Sequence, residues 1–193
     1  MSAPALSPNL RESSDHELIR LVGLGSREAL AELVQRHQAM VLSLAFRFLG
    51  RWDEAEDACQ DAFVRVLERA ADYRPTAAFT TWLYRIVANL CWDRRRRTAR
   101  EPDRLPEEAD TLLGRDTEHP FLERAELESR VREAVAQLPD RQRLVLVLHR
   151  YSDFSYKEIE KITGWSSGAV ESCLVRAYSQ LRELLADVGN PGG

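Results

Sequence analysis

Apolar residues recur three and four positions apart along most of this chain and nowhere alternate in twos for any length, which restricts it to packed helices. Leu18, Ile19, Leu21 and Val22 predict a helix over 14–23, and Leu30, Leu33, Val34, Val41, Leu44, Ala45 and Phe48 predict one over 26–49. After Trp52, the positions Ala55, Ala58, Cys59, Ala62, Phe63, Val66 and Leu67 mark a third. Trp82, Leu83, Ile86, Val87 and Leu90 form the inward stripe of a fourth, within FTTWLYRIVANLCWDRRRRT from Phe79 to Thr98. Residues 122–137 and 140–151 give two more, with Pro139 at the first turn of the latter and VLVLH as its buried centre. The expectation is an all-α protein of two small helical bundles, 14–98 and 121–187, joined by a flexible acidic linker over 99–120. Residues 1–13 and 188–193 are expected as flexible ends.

The charge distribution supports that division. Residues 12–98 carry 13 basic and 13 acidic groups, and residues 121–187 carry 10 and 11. Residues 99–120 carry 3 and 7, so the proline-interrupted connector holds nearly all of the excess behind the net charge of −4. Neither bundle is acidic enough to repel a polyanion.

Two segments suit DNA. Thr80, Thr81, Tyr84, Arg85 and Asn89 are expected on or near the face of the fourth helix opposite its core stripe, beside Arg94, Arg95, Arg96 and Arg97. Arginines neutralise phosphates and aromatic rings stack unpaired bases. A solvated helix end, with cations meeting the negative dipole, is the plainer alternative. The second segment, Ser155 to Leu185, reads as a helix-turn-helix, with an ordinary helical hairpin as the alternative. Tyr156, Ile159 and Ile162 give a short apolar stripe, Gly164 suits the left-handed end of the first helix, and Ser166 or Ser167 caps the second. Val170, Leu174, Ala177, Leu181 and Leu184 or Leu185 form the core face of that second helix, whose first turn would enter the major groove.

The third helix opens with acids. Asp53 suits its N-cap and Glu56 the capping-box position, while Glu54 adds to the early negative charge that complements the dipole. Asp57, Gln60 and Asp61 lie beyond the box at i, i+3 and i+4 and make an exposed stripe, either solvated or docking a basic partner helix.

In this order, DHELIRLVGLGSREALAELVQRH, WDEAEDACQDAFVRVLERA, FTTWLYRIVANLCWDRRRR and the helix-turn-helix segment resemble bacterial RNA polymerase sigma factors of the extracytoplasmic-function (ECF) class. The resemblance covers about 160 of the 193 residues. It implies region 2 in the first bundle and region 4 in the second. It also implies an initiation factor that binds core RNA polymerase, recognises −35 and −10 promoter elements and assists melting. A sigma-like mimic that sequesters an anti-sigma factor without binding promoters is the alternative.

By the same resemblance, Asp53, Glu54, Glu56, Asp57, Gln60 and Asp61 would dock on the large catalytic subunits. The loop Tyr73 to Phe79 would capture a flipped −10 base, with Tyr73, Arg74, Phe79, Thr81, Tyr84, Arg85, Asn89 and Arg94 to Arg97 as candidate contacts. Ser166, Ser167, Gly168, Glu171, Ser172, Val175 and Arg176 would meet the −35 element. Glu160 stands where the family commonly has a small alanine, and Glu171 and Cys173 where it favours basic residues; Arg176 alone keeps the expected charge there. The acidic linker would thread towards the active-centre and RNA-exit channels, and an anti-sigma factor is an implied partner.

Other classes fit poorly. No apolar run approaches the roughly 18 residues of a membrane span, and the N-terminus lacks the pattern of a signal peptide, so a cytoplasmic protein without membrane insertion is expected. Cys59, Cys91 and Cys173 are odd in number and scattered, which suits free, buried thiols. His16, His37, His119 and His149 form no cluster with a nucleophile, so neither a catalytic site, a metal nor a cofactor is expected.

Overall fold

A computed structural model describes residues 10–98 and 120–186, with side chains of 120–126 outside that description. The expected linker, save residue 120, the expected C-terminal end and residues 1–9 lie outside the described residues, while residues 10–13, expected as part of a flexible end, are described and held by Arg36. Eight α-helices and no strand occur among them. In chain order they are α1 (Asp15–Gly23), α2 (Arg27–Leu49), α3 (Trp52–Arg69), α4 (Phe79–Thr98), α5 (Pro120–Ala136), α6 (Asp140–Tyr151), α7 (Tyr156–Thr163) and α8 (Ser167–Leu184), with a 3₁₀ turn at Ala70–Asp72 after α3.

Local chemistry sets the boundaries. Ser14 and Glu17 close a capping box on α1, Ser155 and Glu158 do the same on α7, and Ser26 and Ser166 cap α2 and α8. Gly50 and Gly164 end α2 and α7 at φ +84° and +74°, conformations that a side chain disfavours. The start of α3 departs from expectation. Its N-cap is Arg51, without a side-chain cap bond, and Asp53 lies inside the helix, paired with Arg51 at 2.7 Å. Asp53 thus sits in the first turn rather than at the cap, its carboxylate held below the usual range by Arg51 and by backbone N–H groups of the same turn.

The two groups of four helices share one apolar core. Leu18, Leu33, Phe48, Ala62 and Leu83 from the first group belong to the same buried cluster as Leu144, Leu148, Phe154, Ile159 and Val170 from the second. Helix α6 packs on α2, and α7 packs on α4. The rings of Tyr84 and Phe154 meet edge to face at 4.7 Å, Trp92 bridges Phe48 and Trp165, and Arg47 lies 4.0 Å over the Tyr151 ring. Arg95 pairs with Asp140 at 2.9 Å.

Arg143 lies at the centre of this contact, 2% exposed. Its guanidinium donates to the carbonyls of Val135 and Ala136 in the last turn of α5, to Leu138 just beyond it, and at 3.0 Å to Phe48 of α2. The last carbonyls of a helix have no intrahelical donor, and the flat, five-donor guanidinium supplies several at once. Burial and the nearby Arg95 push Arg143 down to about 10, still far above neutral pH, so it remains a cation.

Candidate nucleic-acid and protein interfaces

On α3, the residues expected to dock a partner are presented unequally. Asp57 and Gln60 are exposed, whereas Glu56 accepts a hydrogen bond from the Trp52 indole at 2.8 Å and Glu54 lies 3.7 Å from Arg51. Asp61 stays exposed but pairs with Arg94 of α4 at 2.6 Å. One helical turn further along the same face, Val64 is 52% exposed and Leu67 50%. Leu67 therefore does not join the core as its spacing predicts, because α3 turns it away from α2 and α4. The acidic stripe thus runs into an apolar patch that the sequence pattern alone did not reveal; the i+3 and i+7 spacing of Val64 from Asp61 and Asp57 was the available signal.

The loop between the 3₁₀ turn and α4 shows Arg74, Pro75 and Thr76 to solvent and ties itself down with Thr76 N–H donating to the Arg74 carbonyl at 2.8 Å. Tyr73 at its root is half-buried. It meets Trp82 at 5.0 Å and Phe79 at 6.2 Å, both edge to face, and its hydroxyl lies 2.7 Å from His16 Nδ1.

Thr81 and Tyr84, expected on or near the outer face of α4, and Phe79, expected as a contact of the capture loop, are instead enclosed. Phe79, Thr81 and Tyr84 are 2%, 5% and 1% exposed. Phe79 packs against His37 and Trp82 within the first four helices. Tyr84 points outward from them but is covered by Phe154, and its phenol, pushed up by burial, is hydrogen-bonded with Ser152. The helix is thus apolar on two sides, one facing its own bundle and one facing the other. Arg85 and Asn89 remain exposed, Asn89 beside Trp92, Arg141 and Trp165. Of the arginine run, Arg96 and Arg97 are exposed, while Arg94 and Arg95 are held by Asp61 and Asp140.

In the second half, α7 and α8 are joined by the tight Gly164 turn, and Ile159, Ile162, Val170, Leu174 and Ala177 are buried. Tyr156, expected in that stripe, is 40% exposed. The first turns of α8 present Ser167, Gly168, Glu171, Arg176 and Val175, the last 63% exposed. The Ser166 side chain is occupied as the cap. Ser172 and Arg176 border a cavity shared with Trp92, Asp140 and Arg141.

The cysteines are free, with Cys91 buried and Cys59 and Cys173 half-buried. Burial pushes Cys91 up to about 12. No group of metal-ligating side chains occurs among the described residues, and no described helix is long and apolar enough to cross a membrane.

Comparison with known proteins matches this geometry to a family. Residues 33–101 match the family model described as Sigma-70 region 2, and residues 128–181 match Sigma-70, region 4. The chain is 31% identical to the RNA polymerase sigma-H factor of Pseudomonas aeruginosa, over 91% of this chain and 96% of that one. It is 30% identical to the ECF RNA polymerase sigma factor SigW of Bacillus subtilis, over 88% and 96%. Among solved structures it resembles CnrH, in complex with the cytosolic domain of CnrY, with a TM-score of 0.68 and 28% identity over 92% of this chain and 100% of that one. The sigma factor RpoE of Bartonella quintana, in complex with the anti-sigma factor NepR, shares the fold, with a TM-score of 0.68 and 21% identity over 83% and 98%. The chain belongs to the ECF RNA polymerase sigma factors, which recognise promoters at transcription initiation.

Proposed function

We propose that residues 14–98 and 121–187 work as separate reading heads, joined through 99–120. The first docks on core polymerase and opens the −10 element; the second recognises the −35 element. The observation that carries this division of labour is the segregation of exposed chemistry. An acidic and apolar face lies on α3, a cationic end on α4, and a free first turn on α8.

Docking uses Asp57 and Gln60 with Val64 and Leu67, an acidic edge beside an apolar centre that suits a basic amphipathic helix of a large catalytic subunit. Asp53, Glu54, Glu56 and Asp61 flank it, each with an intramolecular partner that a basic helix can replace. At −10, the exposed loop Arg74 to Thr76 receives the flipped base, Asn89 and Arg85 follow the opened strand, and Arg94 to Arg97 hold its backbone. Phe79 and Thr81 support the loop from inside. At −35, Ser167, Gly168, Glu171, Ser172, Val175 and Arg176 face the groove behind the Ser166 cap. A glutamate there reads a cytosine amino group while repelling phosphates, which favours sequence selectivity over general affinity.

Closed packing bears on this reading. With Phe154 against Tyr84 and Trp165 against Trp92, the side of α4 that carries Tyr84 offers no room for DNA. Promoter reading across that side requires α6 to α8 to withdraw from α4. An anti-sigma factor is the natural partner to oppose that step; the sigma factor RpoE of Bartonella quintana, which shares this fold, is solved in complex with the anti-sigma factor NepR. The protein acts where polymerase acts, in the cytoplasm, and performs no bond chemistry itself. Transcription with purified core and a library of promoter fragments tests the reading: transcripts sharing one −35/−10 pair support it, and failure to bind core removes it.

A further inference from the structure

We propose that α1, which lies outside the segment matched to region 2, is a working part of the −10 site, and that His16 positions the capture loop by holding Tyr73. The inference rests on the loop reading above and deepens it.

Tyr73 is the root of the exposed Arg74–Thr76 loop, and it is gripped from two directions. From the α4 side, its ring meets Trp82 and Phe79 edge to face. On the other side lies α1, with the Tyr73 hydroxyl 2.7 Å from His16 Nδ1 and the two rings 5.8 Å apart. Burial and the Asp15 carboxylate hold the phenol above its ordinary range, so it stays a neutral hydrogen-bonding group.

The backbone of the same junction is fitted as closely. A Cβ added at Gly23, the last residue of α1, would stand 3.1 Å from the Ala70 carbonyl oxygen and 3.2 Å from the Ala71 Cα. These are backbone atoms of the 3₁₀ turn that delivers the chain to Tyr73, so any side chain at 23 displaces the turn.

Helix α1 is itself anchored to α2. Asp15 pairs with Arg36 at 3.0 Å and with His37 at 2.8 Å, and Arg36 also donates to the carbonyls of Leu10, Arg11 and Ser13. His37 in turn packs on Phe79, the first residue of α4, at 5.3 Å. The contacts therefore close a circuit from α1 through Tyr73, Phe79 and His37 back to α1, and the loop stands on it.

His16 differs from the residues that merely hold α1 in place. Leu18, Ile19 and Val22 are 0%, 0% and 3% exposed and anchor the helix to the core, whereas His16 is exposed. Removing its ring leaves that anchorage intact and frees one end of the loop. The expected consequence is a misplaced loop on a folded protein.

The test uses the full chain assembled with core polymerase on a promoter fragment selected by that holoenzyme. The signal is 2-aminopurine fluorescence at the captured −10 position, with core affinity and −35 binding measured in parallel. His16→Ala should slow melting about fivefold, the effect of one lost hydrogen bond, and narrow discrimination at the captured base. Core affinity and −35 binding should stay within about twofold. His16→Gln should restore melting, since a side-chain amide both donates and accepts and so serves whichever way the bond points. Tyr73→Phe should reproduce His16→Ala, and the double variant should be no worse than either alone. Gly23→Val should slow melting while leaving the thermal transition cooperative. Arg74→Ala with Thr76→Ala probes the loop independently. Slow melting in the loop variant with wild-type melting in His16→Ala, or additive losses in the double variant, overturns the positioning role and spares the loop reading. Unchanged melting in every variant removes both.

Discussion

Arg143 shows how much of this molecule depends on single side chains placed where periodicity assigns them no role. Its spacing marks it only as one more charge on α6, yet it is buried and donates to four carbonyls at two helix ends. Removing it orphans those acceptors. Arg143→Met should cost roughly 2–4 kcal/mol, measured by urea denaturation. Arg143→Lys should recover only part of that loss, because three donors on one nitrogen cannot reach four divergent oxygens. A loss below about 0.5 kcal/mol for Arg143→Met would place it among neutral surface changes. Cys91 supplies a second residue-scale expectation. With its thiol pushed up to about 12, the folded chain keeps the proton that the unfolded chain releases from about pH 9. Its contribution to stability is thus full below that value and lost as pH rises through about 12. At pH 8 a thiol reagent should label half-buried Cys173 and, more slowly because burial raises its thiol, Cys59, but Cys91 only on unfolding.

Individual helices were largely legible in the sequence, for identifiable reasons. Ser14, Ser26, Ser155 and Gly164 are local signals whose chemistry is complete within four residues, and the observed ends agree closely with the expected ones. Asp53 misled because the helix begins one residue earlier, at Trp52, which puts Asp53 in the first turn beside Arg51. Faces were harder to read than spans. Leu67 carries core spacing but faces solvent with Val64, and Tyr84 reads as polar surface but is enclosed, because what covers a face depends on tertiary neighbours that periodicity does not encode. On α3, Asp57→Lys and Val64→Ser should each weaken core binding on the order of tenfold, with the thermal midpoint unchanged since both residues are exposed. On α8, Glu171→Arg should tighten non-specific DNA binding and steepen its salt slope by about one. An unchanged slope would take Glu171 out of the DNA interface.

At the scale of the whole molecule, composition set an acidic connector between two expected helical groups, but it carried no information on how the described helices pack. The contact is made by Phe48, Tyr84 and Trp92, each of which reads locally as an ordinary member of its own helix, and by Phe154 and Trp165, which lie in the connections on either side of α7. The closed arrangement sets the Tyr84 side of α4 against Phe154 and Trp165, so under the proposed function the two reading heads compete with each other before they meet DNA. Phe154→Ala removes the ring that covers Tyr84 and should weaken the contact by about 3 kcal/mol. Fluorescence energy transfer between dyes on α3 and α8 should then report a larger separation, and open complexes should form faster. Unchanged transfer and unchanged rates would show that the packing does not restrain promoter entry.

The central claim is that two reading heads on one chain direct core polymerase to a promoter. Transcription in vitro from a promoter-fragment library, with core alone and with this protein added, tests it most directly. The account predicts transcripts only in the presence of the protein, all from fragments that share one −35/−10 pair, and lost with Asp57→Lys. Transcripts without a shared element, or a protein that does not bind core, would contradict it.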